Sequence, residues 1–206
     1  MLEADRHDRL AADELRGALA ESRIGNSIVV VEETPSTNDL VWEAAGRGAA
    51  EGLVVLAERQ SAGRGQFGRR WESAPYQGLW LSVFLRPPIT LAQSPQLTSL
   101  LAKVVASTIE EETGVSTVIK APNDIYIAGR KVAGVLVEGR TAADGSYVAV
   151  AGIGVNVNQA LSDFPEELQA TAGSLAMTTG RHLQRGPLAV ALLRKFDNAY
   201  RAFTPA

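Results

Sequence analysis

The sequence predicts an α+β fold in which a mixed, mostly antiparallel sheet is flanked by helices. Strand-like and helical runs follow one another without a repeating strand–helix–strand rhythm, which argues against a parallel α/β sheet. The segment 117–157 has the pattern of an antiparallel meander, with tight turns at Ala128-Gly129 and Asp144-Gly145. Residues 97–112 carry the strongest apolar helical stripe in the chain and stop at Gly114, so this helix should lie on a sheet face.

The remaining elements are predicted in chain order from their periodicity and their caps. Ser36 or Thr37 is a plausible N-cap for a helix that begins near Asp39, and Gly46 is typical of its end. The predicted strands cover 27–31, 53–57, 79–85, 117–120, 125–127, 131–138 and 147–157, and the predicted helices cover 11–22, 39–45, 97–112 and 187–202. The segments 164–170 and 174–177 are short and ambiguous. We expect residues 1–26 to form a short helical extension and 27–206 to form one domain.

Composition narrows the class of protein. The chain has 206 residues, a formal net charge of −3, no cysteine and two histidines. A slightly acidic chain is not typical of a general nucleic-acid binder, and the lack of cysteine excludes disulfides, thiolate catalysis and cysteine-ligated zinc. No metal-ligand cluster is predicted. The N-terminus mixes acids and bases, and no apolar run is long enough to span a bilayer, so we expect a cytoplasmic protein without a membrane contact.

The segment 60–71, which reads QSAGRGQFGRRW, combines flexible backbone, positive charge and an aromatic ring. Its glycines allow close approach to a ligand, and its arginines Arg64, Arg69 and Arg70 are suited to phosphate or carboxylate. Glu72 is the only acid between Arg59 and residue 109, so the local field is expected to be positive. The spacing Gly-x-Gly-x-x-Gly matches a dinucleotide fingerprint, but no helix is predicted after it. An anion-binding loop and a solvated surface loop both remain open at this point.

A second group of polar residues lies in the predicted meander. Lys131 stands beside an apolar run, where it is either an edge residue that reaches outward or a buried cation held for an anionic ligand. Asn123 and Asp124 follow Pro122 and are either turn formers or site residues. Gly152, Gly154 and Asn156 alternate along one strand, so the two glycines either clear a face for a flat group or mark a bulge.

Five motifs in this order resemble the catalytic domain of biotin protein ligases, over about residues 27–200. They are Ser36-Thr-Asn38, Gly63-Arg-Gly65 running on to Trp71, Lys120-x-Pro-Asn-Asp124, Lys131-x-Ala-Gly134 with Glu138, and Gly152-Ile-Gly-Val-Asn156. The resemblance implies a two-step reaction. Biotin and MgATP give biotinyl-5′-AMP and pyrophosphate, and biotin then passes to a lysine of a biotin carboxyl carrier protein.

The resemblance also implies roles for individual residues. The catalytic residues would be Arg64, Lys131 and Asp124, with Asp124 orienting the acceptor lysine. The biotin site would comprise Ser36, Thr37, Gln60, Gly63, Arg64, Trp71, Lys131 and Gly134. The ATP site would comprise Arg64, Arg69, Arg70, Lys120, Asn123, Lys131, Gly152, Gly154 and Asn156, with ATP and Mg²⁺ as cofactors and no protein-held metal.

The chain departs from the family pattern in three ways. Many bacterial members have arginine at Gln66, and the family usually has tryptophan at Ala121. A small C-terminal β-barrel domain of many members is expected to be absent here. Partners are expected to be the carrier protein and a second copy in a homodimer, without DNA, because residues 1–26 are too short for a DNA-binding domain. A biotinyl-adenylate sensor with little ligase activity and a lipoate-type ligase remain alternatives.

Overall fold

The computed structural model describes residues 8–142 and 144–203. One seven-stranded sheet has the strand order β1-β2-β3-β7-β6-β5-β4. Strands β1 and β2 are parallel partners and the other neighbouring pairs are antiparallel, which confirms the predicted mixed, mostly antiparallel sheet. The strands are β1 (Ser27–Thr34), β2 (Leu53–Gln60), β3 (Gly78–Leu85), β4 (Val118–Lys120), β5 (Asp124–Ile127), β6 (Arg130–Thr141) and β7 (Tyr147–Asn156).

The helices flank this sheet. They are α1 (Ala12–Ala18), α2 (Thr37–Gly46), α3 (Ser94–Thr113), α4 (Leu175–Thr179) and α5 (Arg185–Arg201), with 3-10 turns at Gln66–Gly68, Leu91–Gln93, Leu161–Asp163 and Glu166–Leu168. The predicted stop of α3 is present, since Gly114 adopts the left-handed conformation with φ 74°. The predicted helix 11–22 is shorter in the structure. The chain turns away after α1 so that buried Ile24 can reach α5, where its N–H bonds Asp197.

The two faces of the sheet have different roles. Along β7 the odd-numbered residues, such as Ile153 and Val155, join the main core with helices α1, α3 and α5. The even-numbered residues face α2, whose Val41 packs with Val55 and Phe84 in a smaller core. Further along this second face the strands carry glycine, so α2 covers only part of it. The uncovered part is where the candidate site lies.

The segment before β1 shares the main core with the rest of the chain. Leu15, Leu19 and Ile24 are buried there, and α1 packs against β1 and α5. Among the described residues, no helix combines the length and apolar character that crossing a membrane requires.

Candidate active site

A narrow slot lies between the sheet and the segment that follows β2. Its floor is formed by the middle of β6 and β7, its roof by residues 64–66 and Trp71, and its closed end by the start of α2 with Gln60. Asn123, Asp124 and Lys131 stand at the opposite end. The structure therefore brings together residues from all five sequence motifs.

The roof is a small hairpin over residues 63–71. The Gly65 N–H donates to Arg69 O at 2.7 Å, and the Trp71 N–H donates to Gly63 O at 2.9 Å. A side chain at Gly63 would place Cβ 2.7 Å from Trp71 O, so the close approach of the two arms requires glycine there. Gly68 does not begin an α-helix, in agreement with the rejection of a dinucleotide fingerprint.

The Trp71 ring lies over a pair of glycines that face each other across two strands. Gly134 on β6 is the register partner of Gly154 on β7. A Cβ on Gly134 would come within 3.0 Å of the Trp71 ring, and one on Gly154 within 2.6 Å. The prediction that the β7 glycines clear space for a flat group therefore describes Trp71, and the space over Gly152 is taken by Asn38 Oδ1 at 2.5 Å from such a Cβ. The approach of adenine to Gly152 and Gly154 remains a prediction that requires Asn38 and Trp71 to move from these positions.

The closed end of the slot is polar. The Thr37 N–H and Gln60 Oε1 are 2.8 Å apart, and Thr37 Oγ1 lies 3.1 Å from the same oxygen. Thr37 Oγ1 also lies 2.6 Å from Ser82 Oγ on β3. Ser36 is at the N-cap position of α2 and lines the slot, but its side chain makes no capping hydrogen bond. Ser36 therefore occupies the predicted N-cap position, and Gln60 Oε1 accepts from the first helical N–H, that of Thr37.

Lys131 and Asp124 form an ion pair at the other end. Their Nζ and Oδ1 atoms are 2.7 Å apart, and Lys131 Nζ is 5.1 Å from the centre of the Trp71 ring. The pairing register of β5 and β6 shifts beside Tyr126, which lies opposite Lys131 while Asp124 lies opposite Gly134. This bulge turns Lys131 to the same face as Gly134. Lys131 is therefore a partly buried cation at the site and not an outward edge residue.

A wider cleft of about 500 Å³ continues from this end of the slot. Arg69, Arg70 and Lys120 line it together with Lys131, and Phe164 and Leu168 contribute apolar wall. Lys120 is exposed, with Nζ 5.7 Å from the centre of the Tyr126 ring. The cleft thus combines cations with apolar surface, a combination that suits a nucleotide.

The two asparagines assigned to adenine are buried and bonded to the protein backbone. Asn123 Nδ2 donates to Val135 O at 3.0 Å. Asn156 Nδ2 donates to Gly173 O at 2.9 Å, and Asn156 Oδ1 accepts from Gln159 Nε2 at 3.3 Å. Both residues line the cleft. An adenine contact by Asn156 remains a prediction. It requires Asn156 to give up its bonds to Gly173 and Gln159 and to bond adenine in their place.

Arg64 is bound by two carboxylates. Its Nη1 and Nη2 donate to the two oxygens of Asp39 at 2.8 and 2.7 Å, and Nη2 lies 3.3 Å from Glu138 Oε1. The hydrogen bonds to Asp39 raise the pKa of Arg64, and the same bonds hold the pKa of Asp39 below its ordinary value. Arg64 thus keeps its positive charge, and the carboxylates of Asp39 and Glu138 balance that charge.

The positive field predicted for this segment is largely compensated in the structure. Besides Arg64, Arg59 pairs with Glu33 at 3.1 Å and Arg70 with Glu72 at 2.8 Å. The prediction counted only charges close in sequence. The fold brings Glu33, Asp39 and Glu138 from other segments into ion pairs with these arginines. The cations that face the cleft are still concentrated there, since Lys120 and Arg69 also line it.

Asp39 and Ser82 are site residues that the sequence did not single out. Ser82 is fully buried within the otherwise apolar strand β3, and a lone serine in such a strand is the signal that could have found it. Asp39 directly follows the Ser-Thr-Asn motif but was assigned only to the start of a helix. No group of three or more potential metal ligands occurs among residues 8–142 and 144–203.

Comparison with known proteins identifies the family. Residues 30–158 match the biotin/lipoate A/B protein ligase family. The chain belongs to this family. The biotin–[acetyl-CoA-carboxylase] ligase of Mycobacterium tuberculosis is 35% identical over 199 residues, covering 92% of the chain and 69% of that protein. The bifunctional ligase/repressor BirA of Bacillus subtilis is 39% identical over 202 residues, covering 96% of the chain but 62% of the relative.

A solved family structure has the same fold. The Aquifex aeolicus biotin protein ligase in complex with biotin and ATP superposes with a TM-score of 0.73 and 31% identity, over 86% of this chain and 71% of that one. The chain spans only about 62% of the length of the Bacillus BirA relatives that it matches. Family and fold are therefore established.

Proposed function

We propose that the protein is a biotin protein ligase that forms biotinyl-5′-AMP from biotin and MgATP and transfers biotin to a lysine of a biotin carboxyl carrier protein. One observation carries this proposal. A single slot joins a polar end at Thr37 and Gln60 to the Lys131–Asp124 pair, and it continues into a cleft lined by cations. The names of the relatives from M. tuberculosis and A. aeolicus support the same activity.

Biotin would lie along the slot. Ser36, Thr37 and Gln60 would bond its ureido ring, and its carboxylate would point toward Lys131. Trp71 and Gly134 would cover the rings, while Gly63 keeps the roof hairpin close. The free volume in the slot is only about 50 Å³, so the roof must move before a bicyclic ligand can enter. The Gly63–Trp71 hairpin would make this movement.

The first step would join the slot to the cleft. A biotin carboxylate oxygen attacks the α-phosphorus of ATP, the bond from this phosphorus to the bridging oxygen breaks, and pyrophosphate leaves. Fixed cations reduce the repulsion between the two anions and stabilise the transition state. Lys131 would bridge the carboxylate and the α-phosphate, with Lys120, Arg69 and Arg70 contacting the other phosphates. Arg64 would contact the phosphates only after its hydrogen bonds to Asp39 are broken.

Mg²⁺ would enter with ATP. Mg²⁺ usually keeps several waters and binds through substrate phosphates and one or two carboxylates, so a protein cage of three ligands is not needed. Its chemistry would be to neutralise phosphate charge.

The Lys131–Asp124 pair suggests how the two steps are ordered. While the two side chains are paired, Asp124 is not available to another amine. Once Lys131 turns to the adenylate, Asp124 can receive the acceptor lysine, which must lose a proton from a pKa of about 10.4 before it attacks. The neutral amine then forms the amide bond to the acyl carbon, the acyl–phosphate C–O bond breaks, and AMP leaves.

Labelled biotin tests the function directly. The protein is incubated with radiolabelled biotin, MgATP and a carrier domain, and label on the carrier and release of pyrophosphate are measured separately. We expect both signals. Adenylate formation without transfer would contradict the ligase and support a biotinyl-adenylate sensor, whereas activity only with lipoate would support a lipoate-type ligase.

Two variants separate the steps. Lys131→Ala should abolish pyrophosphate release, because no cation then faces both reacting anions. Asp124→Ala should reduce transfer more than adenylate formation. Equal loss of both signals in the Asp124 variant would argue against its role toward the acceptor lysine.

The same proposal includes the protein's partners and its location in the cell. A carrier protein would bring its lysine to the open end of the slot near Asp124. A homodimer through a sheet edge would use β1 or β4, the outermost strands of the sheet. A cytoplasmic location fits a reaction that consumes ATP.

A further inference from the structure

A chain of buried hydrogen bonds runs from β6 to the closed end of the slot. Glu138 Oε2 accepts from Asn38 Nδ2 at 3.0 Å, and Asn38 Oδ1 accepts from Ser82 Oγ at 2.5 Å. Ser82 Oγ in turn lies 2.6 Å from Thr37 Oγ1. Asn38, Ser82 and Thr37 are all buried, so water does not compete for the two bonds of Ser82, whereas Glu138 is partly exposed.

The direction of every bond in this chain follows from Glu138. A carboxylate can only accept, so Asn38 must turn its NH₂ group toward Glu138 and its oxygen toward Ser82. Ser82 then uses its single proton for Asn38. Thr37 then has one hydroxyl proton and two acceptors within the protein, Ser82 Oγ at 2.6 Å and Gln60 Oε1 at 3.1 Å, so the lone pairs of Thr37 Oγ1 are left for a ligand.

Gln60 is oriented by the same residue. The backbone N–H of Thr37 requires an acceptor, and Gln60 Oε1 fills that role at 2.8 Å. The amide nitrogen of Gln60 is then the donor at this end of the slot. The closed end thus presents one acceptor, Thr37 Oγ1, next to one donor, Gln60 Nε2.

We propose that Asn38, Ser82 and Glu138 are positioning residues that fix this donor and acceptor pattern and so select a ligand group in which N–H stands beside C=O. A cyclic urea has this pattern. The inference rests on the proposed function, for which biotin is the substrate. It adds that specificity depends on Ser82 and Glu138, which do not line the slot, and on Asn38, which connects them.

Glu138 is held in its accepting role by further donors. Trp42 Nε1 donates to Oε2 at 3.2 Å, and Arg64 Nη2 approaches Oε1 at 3.3 Å. Both oxygens are therefore surrounded by N–H groups. The same carboxylate connects the recognition end of the slot to the arginine of the roof hairpin.

Asn38→Asp tests the direction of the bonds with almost no change in shape. The introduced carboxylate would face Glu138 at about 3 Å, where two like charges raise one pKa strongly and share a proton at low pH. When that proton is present, it replaces the Asn38 donor and the chain is intact. When it is lost at higher pH, repulsion separates the two groups and the chain breaks.

The experiment measures biotin dissociation constants by calorimetry between pH 5.5 and 8. For Asn38→Asp we expect binding about tenfold weaker than wild type at pH 8, recovering to within about threefold at pH 5.5, on the like-charge principle. Asn198→Asp makes the same chemical change at an exposed position of α5 and should follow wild type throughout. Thermal unfolding of each variant reports its folding.

Ser82→Ala provides a second readout. Without Ser82, the Thr37 hydroxyl keeps only its longer bond to Gln60 Oε1 and can turn to donate to the ligand. Biotin can accept this bond through its C=O, whereas 2-iminobiotin, whose protonated guanidinium offers only donors, cannot. We therefore expect the preference for biotin over 2-iminobiotin to rise by up to about tenfold, the scale of one hydrogen bond. A structural role alone would weaken both ligands equally.

The outcomes are distinct. A wild-type protein that binds no biotin overturns the proposed function and this inference with it. A wild-type protein that binds biotin, together with a pH-independent Asn38→Asp defect and unchanged discrimination in Ser82→Ala, overturns this inference alone. Recovery of Asn38→Asp at low pH, together with a stronger preference for biotin over 2-iminobiotin in Ser82→Ala, supports it.

Discussion

Trp71 and the glycines beneath it set the dimensions of the slot at the scale of single residues. The ring stands over Gly134 and Gly154, where any side chain would enter its volume. Spacing in the sequence left two interpretations of the β7 glycines open, a cleared face or a bulge. It did not predict that a tryptophan from 83 residues earlier would fill part of that face, because that contact depends on how the roof hairpin folds back.

Gly154→Ala tests this packing. Its Cβ would lie 2.6 Å from the Trp71 ring, so the ring must move, at a cost of about 1–3 kcal/mol for overpacking. We expect biotin affinity to fall at least about tenfold while the protein stays folded, as measured by calorimetry and circular dichroism. Gly46→Ala, at a position with open space around it, should leave affinity unchanged. Unaltered affinity in Gly154→Ala would mean that Trp71 leaves this position when biotin binds.

The Arg64–Asp39 pair gives a prediction about pH. Hydrogen bonds from Arg64 lower the folded-state pKa of Asp39, so the pair stabilises the protein above the unfolded-state value and loses this effect as the pH falls through the lowered value. The difference in unfolding free energy between wild type and Asp39→Asn should thus be constant well above the ordinary Asp pKa of 3.8 and decrease as the pH falls below that value. Asp39 is half exposed, so the difference should not exceed about 1 kcal/mol. Urea titrations at several pH values measure it, and a difference that grows toward acid would contradict the assignment.

Helix ends and strand registers decide where the site residues stand at the scale of elements. The end of α3 was predictable, because an apolar stripe followed by glycine has one common structural solution. The bulge in β6 was not predictable from the sequence. Residues 131–138 were predicted as one uninterrupted strand, yet the register shift beside Tyr126 turns Lys131 to the site face. Such shifts depend on pairing with another strand and leave no local pattern.

Gly114→Ala tests the helix end. The position has φ 74° and open space around it, so the cost is conformational and should be about 1 kcal/mol of unfolding free energy. Gly17→Ala, inside α1 with open space and ordinary backbone angles, should be neutral or slightly stabilising. Urea denaturation compares the two. Equal effects in both variants would show that the left-handed conformation of Gly114 is not what limits the substitution.

A buried ionic cluster joins distant parts of the chain at the scale of the whole molecule. Arg185 at the start of α5 is fully buried, pairs with Glu58 of β2 at 2.6 Å and bonds Gly78 O at 3.2 Å. Asp8 completes the cluster through the Arg185 backbone N–H at 2.8 Å. The segment before α1 is thereby attached to both the sheet and the last helix.

Arg185→Met should therefore destabilise the protein by about 3–5 kcal/mol, because it leaves the Glu58 carboxylate buried without its partner. Arg47→Met removes an exposed arginine paired with Glu43 and should cost less than about 0.5 kcal/mol. Chemical denaturation measures both. Adding Glu58→Gln to Arg185→Met should restore part of the stability, and further loss in the double variant would contradict an unpaired charge as the cause.

Periodicity and turn residues are local properties, so the sequence by itself determined the fold class and the order of most elements. Its resemblance to biotin protein ligases implied that five motifs belong to one site. It also indicated the residue types that suit adenylation. The tertiary structure alone decided the partners of each charge. Asp39 and Glu138 reach Arg64, and Ser82 links Thr37 to Asn38, across separations of 25 to 74 residues for the Arg64 contacts and 44 to 45 for the Ser82 contacts. Contacts of that range arise when helix α2, the roof hairpin and the sheet pack together, so no local pattern specifies them.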